Sequence, residues 1–172
     1  ATGSSPFVPP ILGLDNVPHF TNETLFDNIE QPEHLIIVGG GPIGLEMAQA
    51  HHRLGSKVAV VEGAKALAKD DPELTAVVLK SLREEGINIL EGSLVQEISG
   101  AAGAIEVRYK SEAGEASVNG THLLMAVGRK PNISDLGLEE AGIKYERGGI
   151  TVDAGMITSN PVSYTHLTLP TT

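Results

Sequence analysis

The sequence of 172 residues contains no cysteine and no tryptophan. Without cysteine, disulfide bonds, thiolate zinc sites and thiol redox centres are excluded within this chain. Basic residues are also few, with 12 lysines and arginines against 22 aspartates and glutamates, which gives a net charge of −10. Because a nucleic-acid interface needs clustered lysine and arginine, and none cluster here, we expect no nucleic-acid partner.

Long apolar runs are missing as well. No run approaches the ~18 residues that a membrane-spanning helix requires, and the first residues carry no signal-peptide pattern. We therefore expect no membrane partner and a cytoplasmic location. Adjacent side chains on a helix point about 100° apart, so His51 and His52 do not predict a metal site. Twenty glycines and 41% hydrophobic residues are typical of an α/β protein of one domain with appendages.

A short apolar strand leads into a glycine-rich turn near residue 40. Residues 35–38 are uniformly apolar, which predicts a strand buried on both faces of a parallel sheet. Gly39 would allow the tight turn, and Gly41 would let a pyrophosphate approach the backbone. Gly44 would let the next helix pack closely against the strand. This pattern predicts a dinucleotide-binding site.

A helix is predicted over residues 43–54, directly after this turn. Its first amide groups and the positive end of its dipole favour phosphate groups. We therefore include Pro42 and Ile43 among the predicted cofactor-binding residues.

An acidic residue ends the second predicted strand, residues 57–62. Glu62 stands eighteen positions after Gly44, where a carboxylate can accept hydrogen bonds from both ribose hydroxyls of an adenosine. It would repel a 2′-phosphate, and Lys65 and Lys69 are the only nearby cations, so NAD(H) is favoured over NADP(H). A solvent-exposed carboxylate at a strand end is the alternative interpretation.

The remaining pattern completes an α/β fold. Pro72 opens a second helix, for which Leu74, Val77, Val78 and Leu82 predict the apolar face. A third strand is predicted at 87–90, an alternating antiparallel segment at 94–118, and a last buried strand at 123–127. We predict a Rossmann-type doubly wound parallel sheet with an inserted antiparallel β-meander.

Four motifs together resemble one family. They are residues 1–3 (Ala-Thr-Gly), the glycine turn with Glu46 two residues after Gly44, Glu62, and residues 127–132 (Val-Gly-Arg-Lys-Pro-Asn). In order and approximate spacing they resemble the NAD-binding half of the pyridine nucleotide-disulfide oxidoreductases, FAD-dependent enzymes that include dihydrolipoamide dehydrogenase and mercuric reductase.

The resemblance implies a hydride relay from NADH to FAD and on to a cysteine pair, or the reverse. It divides the chain into residues 1–33, an arm left from an FAD domain with its connector, and residues 34–161, the NAD(H)-binding domain. Residues 162–172 depart from the family and are expected to be a vector-derived tail. FAD, the cysteine pair and a dimerisation domain would then belong to a homodimeric parent protein, and this chain alone would be inactive.

The resemblance also implies roles for single residues. Glu46 would face the nicotinamide and pair with a lysine of the FAD domain, although a first-turn carboxylate also stabilises a helix dipole. Gly128 and Arg129 would lie beside the nicotinamide half, where a glycine after a buried strand permits close approach. A plain exit from the strand into a turn is the alternative for Gly128. Leu94 or Val95 would line the adenine pocket, with an ordinary core position as the alternative for either, and of the two we include Val95 among the predicted cofactor-binding residues.

Two other functions use the same elements. One is a non-catalytic NAD(H)-sensing or interaction module with this fold. The other is a methyltransferase, which also pairs a glycine turn with a carboxylate after its second strand but leaves residues 128–132 unexplained.

Overall fold

The computed structural model describes residues 2–164. Short 3-10 turns span Leu14–Asn16 and Leu25–Asp27. The helices and strands, in chain order, are β1 (Ser4–Pro6), β2 (His34–Val38), α1 (Pro42–Arg53), β3 (Lys57–Val61), α2 (Pro72–Glu84), β4 (Asn88–Leu90), β5 (Leu94–Ala101), β6 (Ala104–Ser111), β7 (Gly114–Gly120), β8 (His122–Met125), β9 (Arg129–Pro131), β10 (Tyr145–Glu146) and β11 (Gly149–Ile150).

The centre of the fold is a four-stranded parallel sheet in the order β4-β3-β2-β8. All three strand pairs are parallel, and β2 lies between β3 and β8. Its residues Leu35, Ile36 and Ile37 are fully buried, as expected for an uninterrupted apolar strand inside a parallel sheet. The predicted buried strand at residues 35–38 is therefore confirmed.

The two faces of this sheet pack against different elements. Leu35 and Ile37 belong to a core cluster that includes Leu45 of α1 and Leu82 of α2. Ile36 and Val38 belong to a second cluster with Ile98, Ile105 and Val107 of the antiparallel sheet β5-β6-β7. The predicted mixed α/β fold with an inserted meander is confirmed, with helices on one face of the sheet and the meander on the other.

Helix α2 begins as its sequence predicts but packs through a different face. The Asp71 carboxylate accepts hydrogen bonds from the amides of Glu73 and Leu74, and Pro72 occupies the first turn. The buried apolar residues are Leu79 and Leu82. The predicted face was wrong for three of its four residues, since Leu74, Val77 and Val78 are exposed.

The cause is a rotation about the helix axis. Positions 75, 79 and 82 are spaced as helical neighbours on one side, and positions 74, 77 and 78 form an adjacent stripe. The exposed stripe is fully apolar in the sequence, whereas the buried one includes Thr75, because α2 carries more apolar side chains than its buried side uses. Only the packing partner decides which stripe is buried.

Contacts divide the chain into two compact units. One is Pro6–Gly128, and the other consists of the described residues of Ala1–Ser5 and Arg129–Thr172. The second unit contains the β10-β11 hairpin. The domain boundaries proposed after residues 33 and 161 stay predictions. Most of the proposed vector-derived tail, residues 165–172, lies outside the described residues.

Candidate functional site

The first unit contains a cleft of about 370 Å³ at the carboxyl edge of the parallel sheet. Loops that follow β2, β3 and β8 meet there, which is where open α/β sheets bind ligands. The cleft is lined by Asn22, Gly39, Gly40, Gly41, Pro42, Ile43, Glu62, Ala64, Lys65, Leu67, Ala68, Lys69, Asp70, Ala126, Val127 and Gly128.

The three glycines predicted from the sequence have different surroundings. Gly39 has a φ of +115°, and a Cβ there would stand 2.3 Å from the carbonyl oxygen of Ala126. A Cβ on Gly44 would stand 2.0 Å from the carbonyl oxygen of Gly39. A Cβ on Gly41 would meet nothing within 4 Å. Gly39 and Gly44 are therefore required by the fold, whereas Gly41 leaves open space in the cleft.

The first turn of α1 faces this open space at Gly41. Gly41 is the N-cap residue, Pro42 follows at the start of the helix, and no side chain of residues 2–164 caps this end. Proline at this position loses no intrahelical hydrogen bond, because the first amides of a helix have no partner within it. The lining residues Pro42 and Ile43 thus bring a helix start, with its positive dipole end, to the cleft.

Glu62 also lines the cleft, and its carboxylate is held by the backbone. Oε2 accepts a hydrogen bond from the Gly40 amide at 2.6 Å, and Oε1 accepts one from the Ala64 amide at 2.8 Å. A carboxylate has about four acceptor positions, so these two bonds leave capacity for further donors. Glu62 joins the glycine turn to the end of β3.

Gly40 was missed by sequence reasoning. A Cβ there would stand 3.0 Å from Cβ of Glu62 and 3.1 Å from Cβ of Ala66. This close approach explains why position 40 is a glycine as well. The middle glycine of the run 39–41 was the available signal, but the sequence does not show which side chain approaches it.

A second carboxylate holds the loop after β3. Glu91 directly follows β4, accepts a hydrogen bond from the Ala66 amide at 2.9 Å, and forms an ion pair with Arg83. Burial raises the pKa of Glu91, but the Ala66 amide and Arg83 outweigh burial and keep this pKa below its ordinary value. Sequence reasoning missed Glu91, although Glu62 and Glu91 occupy the same place after successive strands.

Four predicted site residues lie outside the cleft lining that the described residues form, and one of them is Gly44, which packs against the backbone of Gly39. Glu46 is exposed on α1. Val95 is half-buried and packs against the core cluster that contains Ile98 and Val107. Neither belongs to the cleft lining in the described part of the chain. Arg129 belongs to the second unit, where its Nε donates to Oγ of Ser4 at 2.8 Å. Gly128 does line the cleft and has a φ of +139°.

Among residues 2–164, no group of three or more histidine, aspartate or glutamate side chains is placed to hold a metal ion. Within the same residues, no helix combines the length and the apolar character that a membrane crossing demands.

The fold defines an α/β protein with a cleft at the carboxyl edge of its parallel sheet. The family model described as "Pyridine nucleotide-disulphide oxidoreductase" matches residues 1–164. The chain belongs to this family.

Two similar proteins agree with this assignment. A mercuric reductase from Streptomyces lividans is 38% identical over 162 residues, which are 94% of this chain and 34% of the relative. A dihydrolipoyl dehydrogenase from Geobacillus stearothermophilus is 33% identical, with 94% and 34% coverage. The chain thus spans about a third of the length of these curated relatives.

A solved structure is similar over nearly the whole chain. The HOCl-induced flavoprotein disulfide reductase RclA from Escherichia coli superposes with a TM-score of 0.83 at 34% sequence identity. The match covers 95% of this chain and 38% of RclA.

Proposed function

We propose that this chain is the NAD(H)-binding part of an FAD-dependent oxidoreductase. The observation that supports this proposal is one cleft in which the open Gly41 position, the start of α1 and the Glu62 carboxylate lie together. These are the three features that a dinucleotide needs: space against the backbone, a positive helix end and an acceptor for ribose hydroxyls.

The cleft residues fit the cofactor. Gly41 presents no side chain where a pyrophosphate would approach, and a Cβ there would enter the space that now belongs to the cleft. The first-turn amides of α1 would donate to the phosphate oxygens, and the remaining acceptor capacity of Glu62 would bind the adenosine ribose. When bound, the nicotinamide supplies the hydride, and the chain contributes binding and orientation.

The nicotinamide half is assigned to the opposite side of the cleft. With the adenosine at Glu62, after β3, the other half of the cofactor extends toward Ala126, Val127 and Gly128, after β8. The lack of a side chain at Gly128 leaves open space there, since a Cβ would meet nothing within 4 Å. Glu46, exposed on α1, would pair with a lysine of the FAD domain rather than act inside this cleft.

NAD(H) is proposed over NADP(H) because of Glu62. A 2′-phosphate placed beside this carboxylate would meet a like charge, which costs binding energy at a half-buried position. Lys65 and Lys69 line the same cleft and reduce this repulsion, so the preference depends on the balance of these charges.

Further features of this chain and of its parent protein are also proposals. They are FAD as the hydride partner, Arg129 and Val95 as further cofactor-binding residues, a homodimer and a cytoplasmic location.

Calorimetric titration of the 172-residue chain with NADH, NADPH and S-adenosylmethionine tests the proposed function. We expect NADH to bind, NADPH to bind more weakly and S-adenosylmethionine not to bind. Saturable binding of S-adenosylmethionine without NADH binding would instead support the methyltransferase alternative. Equal affinities for NADH and NADPH would remove the proposed role of Glu62.

A further inference from the structure

A segment that precedes β2 in the chain pairs with β8, the edge strand of the parallel sheet, through a single bridge at Phe20. The Phe20 amide donates to the carbonyl oxygen of Leu123, and the Met125 amide donates to that of Phe20, both at 2.8 Å. Phe20 and Leu124 thus form a parallel bridge, with Phe20 beside the outer edge of β8. The residues after Phe20 therefore leave the sheet at the same carboxyl edge as the loops after β2, β3 and β8.

The turn that follows Phe20 is held in place at both ends. The Thr21 amide donates to Oγ1 of Thr24 at 3.0 Å, and the Leu25 amide donates to the Thr21 carbonyl oxygen at 3.0 Å. The side chain of Leu25 is 3% exposed and belongs to the core cluster that contains Leu45 of α1 and Leu82 of α2. Asn22 lies within this turn, is half-buried and lines the cleft. Its place in the cleft is thus fixed by the sheet on one side and by the core on the other.

The charged and polar side chains of the cleft are unevenly distributed. Its charged side chains, Glu62, Lys65, Lys69 and Asp70, all follow β3. The residues after β8 are Ala126, Val127 and Gly128, which carry no polar side chain. Among the lining residues described, Asn22 is the one uncharged polar side chain, and it enters from the segment beside β8.

We infer that Asn22 is a cofactor-binding residue that hydrogen-bonds the nicotinamide-ribose half of NAD(H). A side-chain amide offers two donors and a carbonyl acceptor, which suits ribose hydroxyls and the carboxamide of nicotinamide. The inference rests on the proposed function, because the adenosine at Glu62 is what directs the other half of the cofactor toward Asn22.

Ligand fragments test this inference on the full 172-residue chain. Wild type, Asn22→Ala and Asn22→Asp are titrated with AMP, ADP-ribose and NADH by calorimetry. We expect Asn22→Ala to weaken NADH binding about tenfold, the effect of one hydrogen bond to a polar ligand group, and to leave AMP binding unchanged. Asn22→Asp keeps the shape but loses the donors, so NADH binding should also weaken. An equal loss of ADP-ribose and NADH places the bond at the ribose, and a loss for NADH alone places it at the carboxamide.

A matched variant controls for effects on the fold. Asn16→Ala makes the same chemical change at an exposed position outside the cleft lining, and it should leave all three affinities unchanged. NADH binding by Asn22→Ala equal to wild type would overturn the inference, as would equal losses of AMP and NADH. If wild type binds neither AMP nor NADH, the proposed function fails and this inference fails with it.

Discussion

The amide of Gly40 donates a hydrogen bond to Oε2 of Glu62 at 2.6 Å, so the glycine turn itself holds the carboxylate proposed to bind the ribose. A methyl group at position 40 would stand 3.0 Å from Cβ of Glu62 and 3.1 Å from Cβ of Ala66. Replacement of this glycine therefore acts on the carboxylate as well as on the turn.

Gly40→Ala should weaken NADH binding by displacing Glu62. The crowding is moderate, so we expect the free energy of unfolding to fall by about 1 kcal/mol, at the low end of overpacking effects. Calorimetric titration and urea unfolding measure the two effects separately. Full NADH affinity in Gly40→Ala would show that the placement of Glu62 does not depend on this contact.

Gly41→Ala and Gly44→Ala should have opposite consequences. Because a Cβ on Gly44 would stand 2.0 Å from a carbonyl oxygen, that variant should lose about 1–3 kcal/mol of stability or fail to fold. Gly41→Ala should lose at most about 1 kcal/mol, the cost of alanine at an N-cap, while NADH binding weakens sharply.

Gly148→Ala is the matched control for this pair, because a Cβ there meets nothing within 4 Å and the residue lies outside the cleft. Thermal unfolding and NADH titration of the three variants make the comparison. A stable Gly41→Ala variant that binds NADH like wild type would refute the role proposed for the open position.

Glu62→Gln should change cofactor preference and also lower stability modestly, because its NH2 group must face the backbone N–H of either Gly40 or Ala64. The amide keeps one carbonyl oxygen but loses the charge, so NADH binding should weaken about tenfold and the penalty against NADPH should shrink. The ratio of the two dissociation constants is the quantity to measure. Glu112→Gln, an exposed position in the β6-β7 turn, controls for the change in net charge. An unchanged ratio in Glu62→Gln would argue against specificity through this residue.

Glu91 should stabilise the fold in a pH-dependent way. Its pKa is lowered in the folded state, so its ionised form stabilises the protein above the ordinary glutamate pKa of about 4.3, and this contribution is lost as the pH falls through the folded value. Glu91→Gln should therefore be less stable than wild type at pH 7, and the difference should shrink below about pH 4.

Urea unfolding at pH 7 and at acid pH tests this expectation, with Glu112→Gln as the matched control. If the difference in the free energy of unfolding between Glu91→Gln and wild type stays constant across this pH range, the charge at position 91 is not what holds the loop after β3. A further readout is NADH affinity at pH 7, which should fall modestly because the loop carries Lys65 beside the cleft.

Sequence reasoning predicted the parts of the candidate site that are encoded locally. A strand, a tight turn and a helix start follow one another within about a dozen residues, so Gly39, Gly41 and Gly44 could be predicted from spacing alone. Glu62 followed from its place at the end of the next strand. The structure places all four at the same edge of the sheet, and three of them, Gly39, Gly41 and Glu62, line the cleft.

The other residues depend on which segments meet in three dimensions. Asn22 reaches the cleft because Phe20 pairs with β8, about a hundred residues later in the chain. Glu91 matters because Ala66 lies beside it, and Gly40 matters because Glu62 does. The apolar face of α2 was misassigned for the same reason, since its partner, not its composition, selects Leu79 and Leu82.

The alternation along β2 sends Ile36 and Val38 to one core and Leu35 and Ile37 to the other. Deleting or inserting a single residue within this strand would exchange the two sets, so both cores would receive side chains shaped for the opposite one. Length variation among proteins with this fold should therefore concentrate in surface turns such as residues 111–114, between β6 and β7, and spare the five residues of β2.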